Sequence, residues 1–104
     1  MLNQAILVGR LVGEPTTIVE EDNGKDFTII TLACNRSFKN ALGVYETDFI
    51  KVRLFGQVAT NTIEYCKNGD LIGVKGRIES EGDRIIIIGD KITFLASRGS
   101  NNEL

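Results

Sequence analysis

At 104 residues the chain has room for one domain with a single modest core. Its 25% charged and 42% hydrophobic residues are the proportions of an ordinary globular protein, which sets aside a disordered or low-complexity chain. A formal net charge of -2 argues weakly against a nucleic-acid ligand, although local charge on a binding face matters more than the sum.

The first ten residues lack the basic start and long apolar run of a signal peptide. No stretch reaches the ~20 apolar residues of a membrane-spanning helix, so a cytoplasmic, nucleoid-associated location is expected. Ala5 to Val12 is an apolar strand ending at Gly13-Glu14-Pro15, a turn signal with the only proline. Thr16 to Glu20 resumes an extended pattern. Asp22-Asn23-Gly24-Lys25 holds an Asn-Gly pair, a strong hairpin signal. Phe27 to Asn35 is a second long strand rich in β-branched residues. Arg36 to Thr47 reads as a polar loop carrying Phe38 and Tyr45.

Phe49-Ile50-Lys51-Val52-Arg53-Leu54-Phe55 is the most informative strand. Alternate side chains point to opposite faces. Ile50, Val52 and Leu54 therefore supply a core face, while Phe49, Lys51, Arg53 and Phe55 share the other. Aromatics interleaved with cations suit single-stranded nucleic acid, because bases stack on rings and cations meet phosphates.

After Gly56 the period changes. Val58, Ala59, Thr62, Ile63 and Cys66 recur at helical spacing, which predicts one amphipathic helix over Gln57 to Lys67, stopped by Asn68-Gly69. Leu71 to Ile78 is a fourth strand, with Ile72, Val74 and Ile78 on one side and Lys75 and Arg77 on the other. A tight acidic turn, Glu81-Gly82-Asp83, leads to a fifth strand, Arg84 to Leu95, bent at Gly89. The end, Ala96 to Leu104, is short and polar. The expected fold is all-β with one short helix: a five-stranded OB-fold barrel over residues 1–95, the helix between strands 3 and 4 plugging one end. A five-stranded sandwich is the competitor, but it has no natural place for the helix.

Lys51, Arg53, Lys75 and Arg77 form two basic pairs, read as lying on one barrel face, which Arg10 could join. Arg36 and Lys39 flank Phe38. Tyr45 suits loop packing as well as a base contact. Phe27 and Phe94 sit among apolar neighbours and are read as core, and Tyr65 as structural. Arg84, Lys91 and Arg98 read as ordinary surface charge. Cys34 and Cys66 are far apart and no histidine is present, so no zinc site, metal or cofactor is expected and both thiols are read as buried and reduced. No P-loop, dinucleotide fingerprint or nucleophile-base motif appears, which gives no basis for an enzyme.

Several strings, in this order and spacing, resemble bacterial single-stranded DNA-binding protein. They are Ile6-Leu7-Val8-Gly9-Arg10-Leu11, Ile30-Thr31-Leu32-Ala33, Asn35-Arg36-Ser37-Phe38, Asp48-Phe49-Ile50-Lys51-Val52 and Leu54-Phe55-Gly56. Lys67-Asn68-Gly69-Asp70 and Val74-Lys75-Gly76-Arg77-Ile78 continue the likeness. The family fold is an OB domain. The resemblance implies that Phe38, Phe49 and Phe55 stack bases, the first two being often tryptophan in relatives. Arg10, Arg36, Lys39, Lys51, Arg53, Lys75 and Arg77 are then the expected phosphate contacts. It also implies a homotetramer, with a dimer possible, in which the first strand helps to pair subunits.

Two departures stand out. The hairpin Glu79-Ser80-Glu81-Gly82-Asp83 is short and acidic where relatives have a long, cationic, aromatic one, and it is expected to repel DNA. Replicative members end in an acidic tip that recruits partners. This chain stops at Ser100-Asn101-Asn102-Glu103-Leu104, so recruitment of that kind is not expected. The expected function is sequence-tolerant binding and protection of single-stranded DNA in replication, recombination or repair. The alternatives are a primosome accessory protein bridging DNA and a helicase, and a protein-interaction OB module.

Overall fold

The computed structural model describes residues 1–19 and 26–98. The expected Asn-Gly turn at 22–25 and the polar end at 99–104 lie outside them. In chain order the elements are β1 (Ala5–Leu11), β2 (Thr16–Ile18), β3 (Phe27–Lys39), β4 (Tyr45–Leu54), α1 (Gly56–Tyr65), β5 (Leu71–Glu81) and β6 (Arg84–Ala96). The sheet runs β1-β5-β6-β4-β3-β2, and a further β1–β3 pairing, Arg10 with Ala33 and Leu11 with Leu32, closes it into a barrel. All pairings are antiparallel except β4–β6, where Val52 meets Ile87 and Arg53 meets Ile88. This is the five-stranded barrel expected from the strand order. Pro15 and Gly13 detach the short β2 from β1, and it pairs with the start of β3 through Ile18 and Phe27.

The barrel closes because its inward positions are apolar and its crossings are lean. Leu11, Ile30, Leu32, Val52, Leu54, Ile72 and Val74 are buried together, removing apolar surface from water. At Gly9 an added Cβ would stand 2.7 Å from the Ala33 carbonyl oxygen, so glycine lets β1 approach β3 there. At Gly89 it would meet the Leu54 side chain at 2.6 Å, close to where the β5–β6 register shifts at Lys75/Gly76. The helix occupies the expected place, between the strand ending at Leu54 and the one starting at Leu71. Ala59 and Cys66 join the core, and the buried Thr62 hydroxyl donates to the Val58 carbonyl at 2.8 Å. The buried Asp70 carboxylate accepts from the Lys67 and Arg98 amides and ties the turn after α1 to the end of β6.

Four local expectations are corrected. The segment 36–47 is no loop. β3 and β4 continue as a two-stranded arm whose turn is Asn40 to Val44, with the Asn40 side chain accepting from the Leu42 and Val44 amides and Gly43 at φ +77°. Both faces of the arm meet water, so no apolar alternation marks it. Ile78 is 44% exposed, because β5 and β6 run past the barrel as a ribbon turning at Gly82. Ile63 points to solvent off the helix, and Phe94 is 49% exposed on β6.

Candidate nucleic-acid interface

The outer side of β4 carries the predicted stripe. Val52 and Leu54 are fully buried, while Lys51 is exposed and Phe49 is 67% exposed. The cross-strand neighbours on β3 are small: Ala33 faces Phe49 and Thr31 faces Lys51. An aromatic ring standing clear of small neighbours leaves its π-face open, whereas a core aromatic would be covered.

The extended run lasts through Phe55. Gly56 has φ +59° and starts α1, with Phe55 as the extended residue before the first turn. Phe55 is half-buried, its ring centroid 5.8 Å from that of Phe27, on the side that Arg53 takes. Phe27 is buried, as expected, and also serves as a platform: the Arg53 guanidinium lies over its ring at 4.6 Å. Arg53 also donates to both Glu81 carboxylate oxygens, at 3.0 and 3.3 Å. Arg77 reaches this neighbourhood through β6, since Ile88 pairs with both Arg53 and Arg77. Arg77, Phe55, Ile88 and Glu79 line one groove.

The β3–β4 arm carries Arg36, Phe38 and Lys39. Phe38 is 64% exposed. Lys39 sits over the Tyr45 ring at 5.6 Å, which assigns Tyr45 to the arm's own packing. Arg36 donates to both Asp48 oxygens at 3.0 and 3.1 Å and to Glu46.

The remaining two predicted cations lie elsewhere. The Arg10 guanidinium donates to the Gly69 carbonyl at 3.1 Å, pinning the turn before β5. Lys75 stands opposite Ile6 of β1 and Lys91 of β6, two residues along β5 from Arg77 and across the register shift at Lys75/Gly76. The strand period gives the side of a strand, not its neighbours around a barrel.

Sequence reasoning missed the counter-ions. Besides Glu81, Asp48 and Glu46, Arg77 is held by Glu79 at 2.9 Å and by Asp90. Among the described residues neither Lys39 nor Lys51 has a carboxylate within 4.0 Å. Hydrogen bonds from Arg36, aided by its charge, hold the Asp48 carboxyl below the usual range. Those from Arg53, with its charge and that of Arg84, do the same for Glu81. The acidity of the β5–β6 hairpin was legible; its specific partner was not.

Residues 2–89 match the Single-strand binding protein family. Among curated relatives, Single-stranded DNA-binding protein 1 of Staphylococcus aureus is 40% identical over 111 residues, covering 98% of this chain and 70% of that protein. Single-stranded DNA-binding protein B of Bacillus subtilis is 45% identical over 80 residues, covering 77% of this chain and 70% of its own length. A crystal structure of a deletion mutant of the single-stranded DNA binding protein from Thermus aquaticus superposes with TM-score 0.70 at 27% identity. It covers 94% of this chain, which spans 52% of that one. The Plasmodium falciparum SSB complex with ssDNA superposes with TM-score 0.70 at 20% identity, covering 91% and 96%, and supports the fold.

Proposed function

The chain belongs to the single-strand binding protein family, and from that premise we propose that it binds and protects single-stranded DNA without sequence preference. The observation that carries this reading is the outer side of β4, where an exposed Phe49 stands next to Lys51, which has no carboxylate partner among the described residues, over small β3 neighbours. In the proposed complex Phe49 and Phe38 present open ring faces to bases, and the half-buried Phe55, tilted against Phe27, takes a further base. Lys39, Lys51, Arg53, Arg36 and Arg77 meet phosphates. Arg10 and Lys75 are the weakest members of the predicted set, given where they sit. The function is binding without turnover, exercised wherever replication, recombination or repair exposes single strands, with the cytoplasm and its nucleoid as the proposed location. The family favours this reading over the primosome-accessory and protein-interaction alternatives.

A homotetramer is proposed as the assembly. Ile6 is 70% exposed on β1, and Ala5 to Val8 pair with β5 alone, leaving that part of the strand's other edge open. An open apolar edge suits self-pairing about a twofold axis. A stable monomer in sedimentation would remove this part and leave the binding reading standing.

The test is an anisotropy titration of a labelled 35-nucleotide oligo(dT) at low and high salt, beside a duplex of equal length. Tight binding to the single strand that weakens with salt is expected, since phosphate neutralisation releases counterions. Equal affinity for the duplex, whose bases are already stacked, or no binding at low salt would overturn the reading.

A further inference from the structure

The cations of the proposed DNA face fall into two kinds. Lys39 and Lys51 are open among the described residues, whereas Arg36, Arg53 and Arg77 are each already held by carboxylates. Of the three, Arg53 is the most constrained. Its side chain is only 20% exposed, because it lies on the Phe27 ring. Its partner is the opposite: the Glu81 side chain is 55% exposed, next to the Gly82 turn where β5 and β6 have left the barrel. A rigid guanidinium fork therefore meets a carboxylate free to swing into water. A planar fork gripping two carboxylate oxygens offers phosphate the same two parallel hydrogen bonds.

We propose that Glu81 is a resident phosphate surrogate on Arg53, which the DNA backbone must displace, and that this exchange sets how tightly the β4 face holds a strand. The inference rests on the single-strand binding reading and deepens it. Glu81 is a specificity-determining residue: it keeps the Arg53 fork on Phe27 in the geometry a phosphate needs, and it taxes any anion too weak to replace it. The acidic hairpin then acts through one bond to one arginine, not through diffuse repulsion. Asp48 on Arg36, and Glu79 with Asp90 on Arg77, repeat the arrangement with more exposed arginines.

The test is a double-mutant cycle read by anisotropy with oligo(dT) at about 0.1 M salt. Glu81→Gln removes the charge and keeps the shape. Breaking an exposed ion pair is worth about a two- to fivefold change in an equilibrium, so affinity should rise by that factor. In the Arg53→Met background, which keeps an apolar stem on Phe27, the same substitution should give no gain. Asp83→Asn changes net charge equally on the same turn, and Asp83 is exposed and holds no cation among the described residues. It should move affinity less than half as much. A gain from Glu81→Gln that persists without Arg53, or an equal gain from Asp83→Asn, would overturn the exchange and leave only a net-charge effect. Loss of affinity in Glu81→Gln with an unchanged melting temperature would also overturn it. Absence of binding by both the wild type and Glu81→Gln at low salt would instead sink the binding reading.

Discussion

Phe49→Ala separates folding from binding more cleanly than any other substitution on the β4 face. The residue is 67% exposed, so about a third of its surface is removed from water in the free protein. A fully buried phenylalanine costs about 3–5 kcal/mol on truncation, so the loss here should be near 1 kcal/mol. For a domain of this size that is a fall of about 4–8 °C in melting temperature. Base stacking on an aromatic is worth about 1–3 kcal/mol, and phenylalanine belongs at the lower end, so the dissociation constant should rise about fivefold per barrel engaged. Strand length then matters. A strand of about eight nucleotides fits one barrel and should show the fivefold change. A 35-nucleotide strand wrapped over four barrels would compound it to several-hundredfold, or about 25-fold over two. The assay is anisotropy with both lengths, beside a thermal melt. Phe49→Leu keeps apolar bulk without a π-face and should lose as much affinity as alanine, while Phe49→Trp should gain. Unchanged affinity for both strands in a folded Phe49→Ala protein would refute the stacking role, and full rescue by leucine would replace it with simple apolar contact.

Gly9→Ala should lower stability by about 1–3 kcal/mol in a denaturant melt, because the new methyl meets the Ala33 carbonyl, and backbone cannot swing aside as a side chain can. The Asp48 and Glu81 carboxyls are held low by Arg36 and Arg53, so what these pairs add to stability is complete above the ordinary carboxylate range of about 4. It is lost as pH falls through the lowered values; melting temperature recorded from pH 7 to 3 should fall more in the wild type than in Asp48→Asn below about pH 4.5, and equal slopes would refute it. Burial, reinforced by Asp48 and Asp70 respectively, pushes the Cys34 and Cys66 thiols up, so both should react slowly with a disulfide reagent at pH 7.5 and rapidly in denaturant.

How much was legible in the sequence follows from where water lies. The Ile50-Val52-Leu54 side of β4 could be read because one face is core and the other solvent, which forces a period of two. The arm at 36–47 has solvent on both faces, so its cross-strand pairs, Asn35 with Thr47 and Lys39 with Tyr45, leave no apolar signature. Phe55 keeps the side that the period gives it, since its backbone is still extended and its ring meets Phe27 as Arg53 does, and only at Gly56 does the chain turn into α1. Which strands flank β5, and so which residues stand beside Lys75, is decided by barrel closure, a property of the whole chain. The Arg53–Glu81 pair, 28 positions apart, is invisible for the same reason. The order of strands and helix survived because it needs only the local periods.

The formal charge of -2 and the proposed ligand are reconciled by where the carboxylates go. Arg36, Arg53 and Arg77 of the proposed DNA face each have their own, so that face carries cations without carrying much net positive charge. That predicts an unusual division of affinity. Phosphate neutralisation contributes a salt slope of about -0.7 per contact for a single strand. If only Lys39 and Lys51 bind at no cost, the slope for one barrel lies near -1.4, and full exchange at Arg36, Arg53 and Arg77 brings it to about -3.5. A value between these limits leaves stacking on Phe38, Phe49 and Phe55 as the larger share, and binding should then persist at salt concentrations that release a purely electrostatic ligand. A slope steeper than about -4 for a strand confined to one barrel would mean that cations off this face, such as Lys75 with Lys91, take part, and that the strand leaves the β4 side. A shallow slope with retained Phe49 dependence would show the acidic chain holding an anion chiefly through its bases.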